Sequence, residues 1–227
     1  MAGNVVEKID GPVKVQHVLA SVSDKTGLDK LIPGLISTNP DVMIYSTGGT
    51  HRKIAEILGD AAPKNLIQVS AYTGQPEMQG GLVKTLDFKI YLGLLSETYN
   101  QAHAGDLKRT GGVPIDMVVA NLYPFKGTIA KPEATVEMAR ANIDIGGPCM
   151  VRASAKNYLR VASVTDPADY DKIVAELEAN DGKLSLGLRF ELAKKSFAHT
   201  AEYDTAIAGY LKDKGEEDLK KIYEIVG

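Results

Sequence analysis

Four side chains can move protons and sit in unusual company: Lys84, Tyr123, Asp144 and Lys156. Ammonium, phenol and carboxylate groups span the usual range of general acids and bases. Asp144 lies between two isoleucines, and Gly146-Gly147-Pro148 follows it. Residues 150–157 are small, apolar and helix-compatible, with Arg152 and Lys156 four apart on one face. Proline after a glycine pair is a common helix start, because its missing N–H would go unpaired in the first turn anyway. The spacing predicts a helix opening beside an acid, and a helix N-terminus suits an anion or a developing oxyanion. A structural use is open to each group: Lys84 as a solvated helix lysine, Tyr123 as a core aromatic, Asp144 as a cap, Lys156 as a surface charge.

The elements that must position these groups follow from apolar periodicity. A buried strand is predicted over 15–22, running into Ser23-Asp24-Lys25-Thr26-Gly27, with a helix carrying Leu28, Leu31, Ile32 and Leu35. A second strand over 41–45 ends in Ser46-Thr47-Gly48-Gly49-Thr50 and leads to a helix with Ile54, Ile57 and Leu58 inward. Further strands are predicted over 66–69, 90–95, 114–121 and 161–164, and 99–113 reads as a polar, exposed excursion. Helices are expected over 135–141, from Asp166-Pro167 to about Leu177, over 185–211, and in the charged end, 212–227. Strands alternating with helices argue for an α/β fold with a mostly parallel sheet. The expected division is a frayed 1–14, an α/β unit over 15–126 and a helical remainder over 127–227.

Open α/β sheets bind ligands beyond the carboxyl ends of their strands. There the sequence sets Ser21 to Lys25, Thr47 to Thr50, and Asn121-Leu122-Tyr123-Pro124-Phe125. A Thr-Gly-Gly-Thr turn entering a helix can hold a phosphate on backbone N–H groups and hydroxyls. Ser23, Lys25 and Thr50 would add donors and charge. A plain turn with a threonine cap explains the same residues. Neither a Walker loop nor a Gly-x-Gly-x-x-Gly fingerprint is present.

Composition narrows the classes. Hydrophobic content of 44%, charged content of 24% and a net charge of −3 describe an ordinary soluble protein without the basic face that nucleic acid needs. The single cysteine, Cys149, excludes an intrachain disulfide and a cysteine-rich metal site. It reads as a small buried residue, and His199 as a packed one. The four histidines are scattered, so no metal is expected. No stretch approaches the ~20 apolar residues that span a bilayer, and residues 1–14 lack the apolar core of a secretory signal. The expectation is a cytoplasmic chain with neither membrane nor nucleic-acid partner.

Taken in order, these segments resemble the inosine monophosphate cyclohydrolase domain of the bifunctional purine-biosynthesis enzyme. The resemblance runs through Ser21-Val22-Ser23-Asp24-Lys25-Thr26-Gly27, Ser46-Thr47-Gly48-Gly49-Thr50, Thr73-Gly74-Gln75-Pro76-Glu77-Met78 and Val83-Lys84-Thr85-Leu86. It continues through Asn121-Leu122-Tyr123-Pro124-Phe125, Ile143-Asp144-Ile145-Gly146-Gly147, Arg152-Ala153-Ser154-Ala155-Lys156-Asn157, Asp166-Pro167-Ala168-Asp169-Tyr170 and Phe197-Ala198-His199-Thr200. It implies a three-layer fold similar to methylglyoxal synthase, with C-terminal helical additions. It also implies closure of the pyrimidine ring of 5-formamidoimidazole-4-carboxamide ribonucleotide, with loss of water, and neither metal nor cofactor. On that pattern Lys84, Tyr123, Asp144 and Lys156 are catalytic. Substrate contacts fall to Ser21, Ser23, Lys25, Thr47, Gly48, Gly49, Thr50, Thr85, Asn121, Ile145 and Gly146, with N–H groups around Ile145-Gly146 as the oxyanion site. A lysine acting as base needs desolvation or a neighbouring positive charge to fall from ~10.4.

Two further expectations follow. From Pro148 to Lys156 is roughly 12 Å of helix, so Asp144 and Lys156 belong to different sites, in a homodimer with shared active sites. The family pattern Gly-Arg-Val-Lys-Thr-Leu-His-Pro here reads Gly81-Leu82-Val83-Lys84-Thr85-Leu86-Asp87-Phe88, and a following histidine is Tyr91. Leu82 and Asp87 motivate an alternative, a catalytically weak nucleotide-binding or regulatory module. A methylglyoxal synthase-like lyase is a third reading, which gives no reason for residues 144–157. With no formyltransferase part, a separate formyltransferase is expected to supply the substrate.

Overall fold

The computed structural model describes residues 5–75 and 84–226. Its first half alternates as expected: β1 (Val13–Lys14), β2 (His17–Val22), α1 (Leu28–Thr38), β3 (Met43–Ser46), α2 (Gly48–Leu58), α3 (Ala62–Asn65), β4 (Leu66–Gln68) and α4 (Val69–Thr73). After residue 83 come α5 (Phe88–Leu95), α6 (Gln101–Thr110), β5 (Met117–Asn121), α7 (Phe125–Ile129), α8 (Val136–Ala141) and α9 (Gly146–Lys156). The chain ends with β6 (Ala162–Val164), α10 (Tyr170–Ala179), β7 (Lys183–Leu184), α11 (Leu186–Lys212) and the short α12 (Glu216–Lys220).

Five parallel strands form one sheet in the order β4-β3-β2-β5-β6, and β1 pairs antiparallel with β7 outside it. Strands covered on both faces read as almost continuous apolar runs, and the alternation sorts them. Val18, Ala20, Val22, Met117, Val119 and Val164 meet Leu31 and Leu35 of α1 and Ile173 and Leu177 of α10. Leu19, Val118 and Ala120 meet Ile90 and Leu94 of α5 and Met150 and Val151 of α9. Gly34 permits the α1–α10 contact, since a Cβ there would stand 2.6 Å from Val174 Cγ2. Helix α11 touches both layers, with Leu188 and Leu192 in the first core and Tyr203 in the second. This is the three-layer α/β fold with C-terminal helices. Its fifth strand, β6, comes from beyond residue 126, so the sheet runs into the part read as a helical remainder. Among the described residues, no helix is long and apolar enough to cross a membrane.

One local reading is corrected and another is filled in. Residues 90–95 form a helix rather than a strand: the Asp87 carboxylate caps it by accepting the Lys89 N–H at 2.7 Å. Ile90 and Leu94, one turn apart, both face the core. A short apolar run does not by its period distinguish strand from helix. Within the stretch read as a polar, exposed excursion, residues 101–110 form a surface helix. Asn100 accepts the N–H groups of Ala102 and His103, and left-handed Gly111 (φ 64°) ends it.

At the amino end of the sheet lies a buried ion pair. Arg160 donates to Asp116 Oδ1 at 3.0 Å, to the carbonyls of Ile115 and Ser96 at 3.1 and 3.2 Å, and to that of Gly93 at 2.5 Å. Asp116 Oδ2 accepts the N–H groups of Gln16 and His17, each at 2.9 Å. Burial pushes the Asp116 carboxyl up and the Arg160 guanidinium down, and their pairing opposes both shifts. Arg160→Met would strand Asp116 as an unpaired buried charge, so urea unfolding should show a loss of about 3–5 kcal/mol. A loss below about 1 kcal/mol would mean that the pair behaves like an exposed one.

Candidate active site

Strand order reverses between β2 and β5, and their carboxyl ends open the crevice in which α/β sheets bind ligands. A side-chain clip spans it. Asn121 Oδ1 accepts the Asp24 N–H, and Asn121 Nδ2 donates to the Asp24 carbonyl, both at 2.8 Å. Asp24 accepts the N–H and hydroxyl of Thr26 at 2.9 and 2.7 Å, which holds its carboxyl below the ordinary value. Lys25 Nζ folds back to the Ser23 carbonyl at 3.2 Å. Asn121, expected to touch substrate, thus has its amide engaged in shaping the 23–27 loop.

The next strand end repeats the pattern. The Ser21 and Thr47 hydroxyls bond at 2.9 Å across β2 and β3. Thr50, expected to touch substrate, has its polar groups engaged within the scaffold. Its hydroxyl both accepts from the Val22 N–H and donates to the Val22 carbonyl at 3.0 Å, its N–H goes to the Thr47 carbonyl, and it is 4% exposed. Gly48, with φ 43°, and Gly49 open α2, and the first N–H groups of a helix have no partner within it. Three cations gather there. A Cβ on Gly48 would lie 3.5 Å from Lys84 Nζ, and one on Gly49 would lie 3.8 Å from Lys25 Nζ and 4.0 Å from Arg52 Nη2. Arg52 is a residue that the sequence reading missed. The signal that could have found it is spacing: Arg52 stands three and four residues beyond Gly49 and Gly48, the separation that shares a helix face.

Lys84 is followed by Thr85, which is buried against a second helix start. A Cβ on Gly146, the first residue of α9, would lie 2.7 Å from Thr85 Oγ1. One residue on, the Gly147 N–H donates to Asp144 Oδ1 at 2.9 Å. A Cβ on Gly147 would meet Asp144 Oδ2 at 2.4 Å and Leu122 Cδ2 at 2.8 Å. The nearby Tyr123 N–H also favours the Asp144 carboxylate. Burial nevertheless raises Asp144 above the ordinary carboxylate value, outweighing both N–H groups. Tyr123 and Ile145 are exposed at 50% and 60%.

Lys84-Thr85 therefore ties the N-terminus of α2 to that of α9, with Lys25 and Arg52 on one side and Asp144 on the other. Lys156 is not brought in. It is exposed at the last position of α9, ten residues and roughly 15 Å from Gly146. Of the positions where the sequence departs from the resembled pattern, Leu82 lies outside the described residues, as do Gly81 and Val83. Asp87 has a structural use as the cap of α5, and Phe88 is exposed. The Tyr91 hydroxyl is raised by burial and by nearby Cys149, which is exposed rather than buried as expected.

Comparison with known proteins agrees with this architecture. A family model described as the MGS-like domain matches residues 30–149, more than half of the chain. The chain belongs to the MGS-like domain family. A second model, the AICARFT/IMPCHase bienzyme, matches residues 154–226 of this MGS-like chain. The bifunctional purine biosynthesis protein PurH of Neisseria meningitidis is 47% identical over 211 residues, which are 93% of this chain and 38% of that protein. The PurH of Sorangium cellulosum is 48% identical over 203 residues, 89% of this chain and 37% of that protein. The chain thus spans well under half the length of these relatives. The crystal structure of ForH superposes with a TM-score of 0.71 at 29% identity, covering 85% of this chain and 97% of that one.

Asp144 offers a test of the electrostatics. A carboxyl whose folded value is raised is disfavoured as the anion by folding. That cost is present above the folded value and disappears as pH falls below the unfolded one. Asp144→Asn keeps an acceptor for the Gly147 N–H and removes the charge. The variant should melt no lower than the parent at pH 7, with any advantage fading toward pH 3. A clearly lower melting temperature at pH 7 would contradict the assignment.

Proposed function

We propose that this chain is an IMP cyclohydrolase, a hydrolase of a cyclic amidine working in the ring-closing direction on 5-formamidoimidazole-4-carboxamide ribonucleotide to give inosine monophosphate. One observation carries the reading: two helix N-termini, one ringed by three cations and the other beside a half-buried acid, are joined through Lys84-Thr85. A phosphorylated ligand with a reacting oxygen some distance away fits that layout. The 47% identity to a bifunctional PurH supports the choice of substrate.

In this reading the 5′-phosphate lies on the Gly48 and Gly49 N–H groups, with Lys25 and Arg52 as counter-charges and the Ser21, Ser23 and Thr47 hydroxyls around it. Ring closure joins the carboxamide nitrogen to the formyl carbon. Each substrate nitrogen gives up one proton, and the formyl oxygen leaves with both as water. The opening N–H groups of α9 at Ile145-Gly146 hold that oxygen as charge develops on it. Asp144, raised by burial, takes up a proton more readily than a surface acid. Lys84 and Tyr123 carry protons between the substrate and water. The 15–126 part supplies the phosphate subsite and the remainder supplies Asp144, Gly146 and Lys156.

Lys156 serves the site of a second copy in a homodimer, because it is too far along α9 to serve its own. A formyltransferase reaction provides the substrate, in the cytoplasm.

Purified protein given the formylated ribonucleotide should form inosine monophosphate well above the spontaneous rate. Nucleotide binding without turnover would instead identify a binding module. Lys84→Ala and Lys156→Ala should each be nearly inactive, and mixing them under subunit exchange should restore up to about a quarter of parental activity if heterodimers form statistically and each assembles one intact site. Verified heterodimers without recovered activity would sink the shared site.

A further inference from the structure

The acid of the site hangs on a short loop between α8 and α9; the Gly147 N–H of α9 holds its carboxylate, but neither helix holds its backbone N–H. A residue 59 positions later does. The Tyr203 hydroxyl on α11 accepts the Asp144 N–H at 2.9 Å and donates to the Asn142 carbonyl at 3.1 Å. It bridges the end of α8 to the acid two residues on. Tyr203 is 8% exposed, and burial raises its hydroxyl, so it stays protonated and able to donate.

The same helix holds the other strand end. The Phe125 ring, two residues after Tyr123, packs edge-on against Tyr203 at 6.2 Å and Tyr210 at 6.0 Å. Lys126 pairs with Glu202 at 2.5 Å. Both loops that carry Tyr123 and Asp144 are thus fastened to one stretch of α11. Asp144 lies in the segment matched by the MGS-like model, and Tyr203 in the segment matched by the bienzyme model.

From these contacts we propose that Tyr203 is a positioning residue for Asp144: its hydroxyl, not merely its ring, sets where the carboxyl stands over the α9 N-terminus. The proposal rests on the cyclohydrolase reading for its kinetic consequence, though not for the hydrogen bonds. A reacting group displaced by about 1 Å can lose on the order of 100-fold in rate. Substrate affinity, resting mainly on the phosphate subsite, should change little.

The test is Tyr203→Phe in the full chain, which keeps the ring and removes the bridge. Expected are a kcat lower by about 10- to 100-fold, a KM within about threefold of the parent, and a melting temperature close to it. An unchanged kcat would overturn the proposal. So would a fall in kcat that only tracks a loss of folded protein, because that is what lost packing alone produces. Amide hydrogen exchange gives a readout free of activity and, in the parent, of any variant that fails to fold. The Asp144 N–H should be protected in the parent and exchange faster in the variant. Rapid exchange in the parent, or equal protection in both, would overturn the hydrogen bond. A parent without turnover would reject the cyclohydrolase reading, while exchange would still decide whether Tyr203 holds Asp144.

Discussion

The close approach of Thr85 and Asp144 to Gly146-Gly147 is the constraint on which the site depends. Neither glycine has room for a Cβ. That tightness brings a carboxylate and a hydroxyl onto the first turn of α9, and it anchors Lys84 near the first turn of α2. The parallel sheet does the rest. Helices that follow parallel strands begin at the carboxyl edge, so their N–H ends collect on one side of the molecule. The opposite edge, closed by Asp116 and Arg160, is stabilising in character.

The site is built mostly by using up polar groups. Thr50 and Asn121 look available in the sequence, yet each satisfies backbone groups of a neighbouring loop. What gathers at the two helix starts is a smaller set: glycine N–H groups, three cationic side chains, and one acid held above its ordinary value by burial. A carboxylate kept half-buried at a cost to its ionised form is characteristic of sites where protons move.

Part of this is legible in the sequence because a glycine pair marks each of the two helix starts. Thr47-Gly48-Gly49-Thr50 and Gly146-Gly147-Pro148 both open helices, and the rise per residue along α9 is enough by itself to separate Lys156 from Asp144. The rest is hidden for physical reasons. Residues 90–95 are apolar over too short a span for the period to decide, and capping by Asp87 tips them to helix. Residues 101–110 bury none of their side chains, so no apolar stripe marks the helix. Tyr203 cannot be tied to Asp144 from the sequence, because nothing local connects residues 59 apart.

The central claim is that two helix N-termini divide one nucleotide between them, and a crystal structure with bound inosine monophosphate tests it most directly. The account predicts the phosphate on the Gly48 and Gly49 N–H groups within reach of Lys25 and Arg52, with the purine directed toward Ile145-Gly146 and Asp144. A phosphate bound at the α9 N-terminus, or a nucleotide seated away from both helix starts, would contradict it.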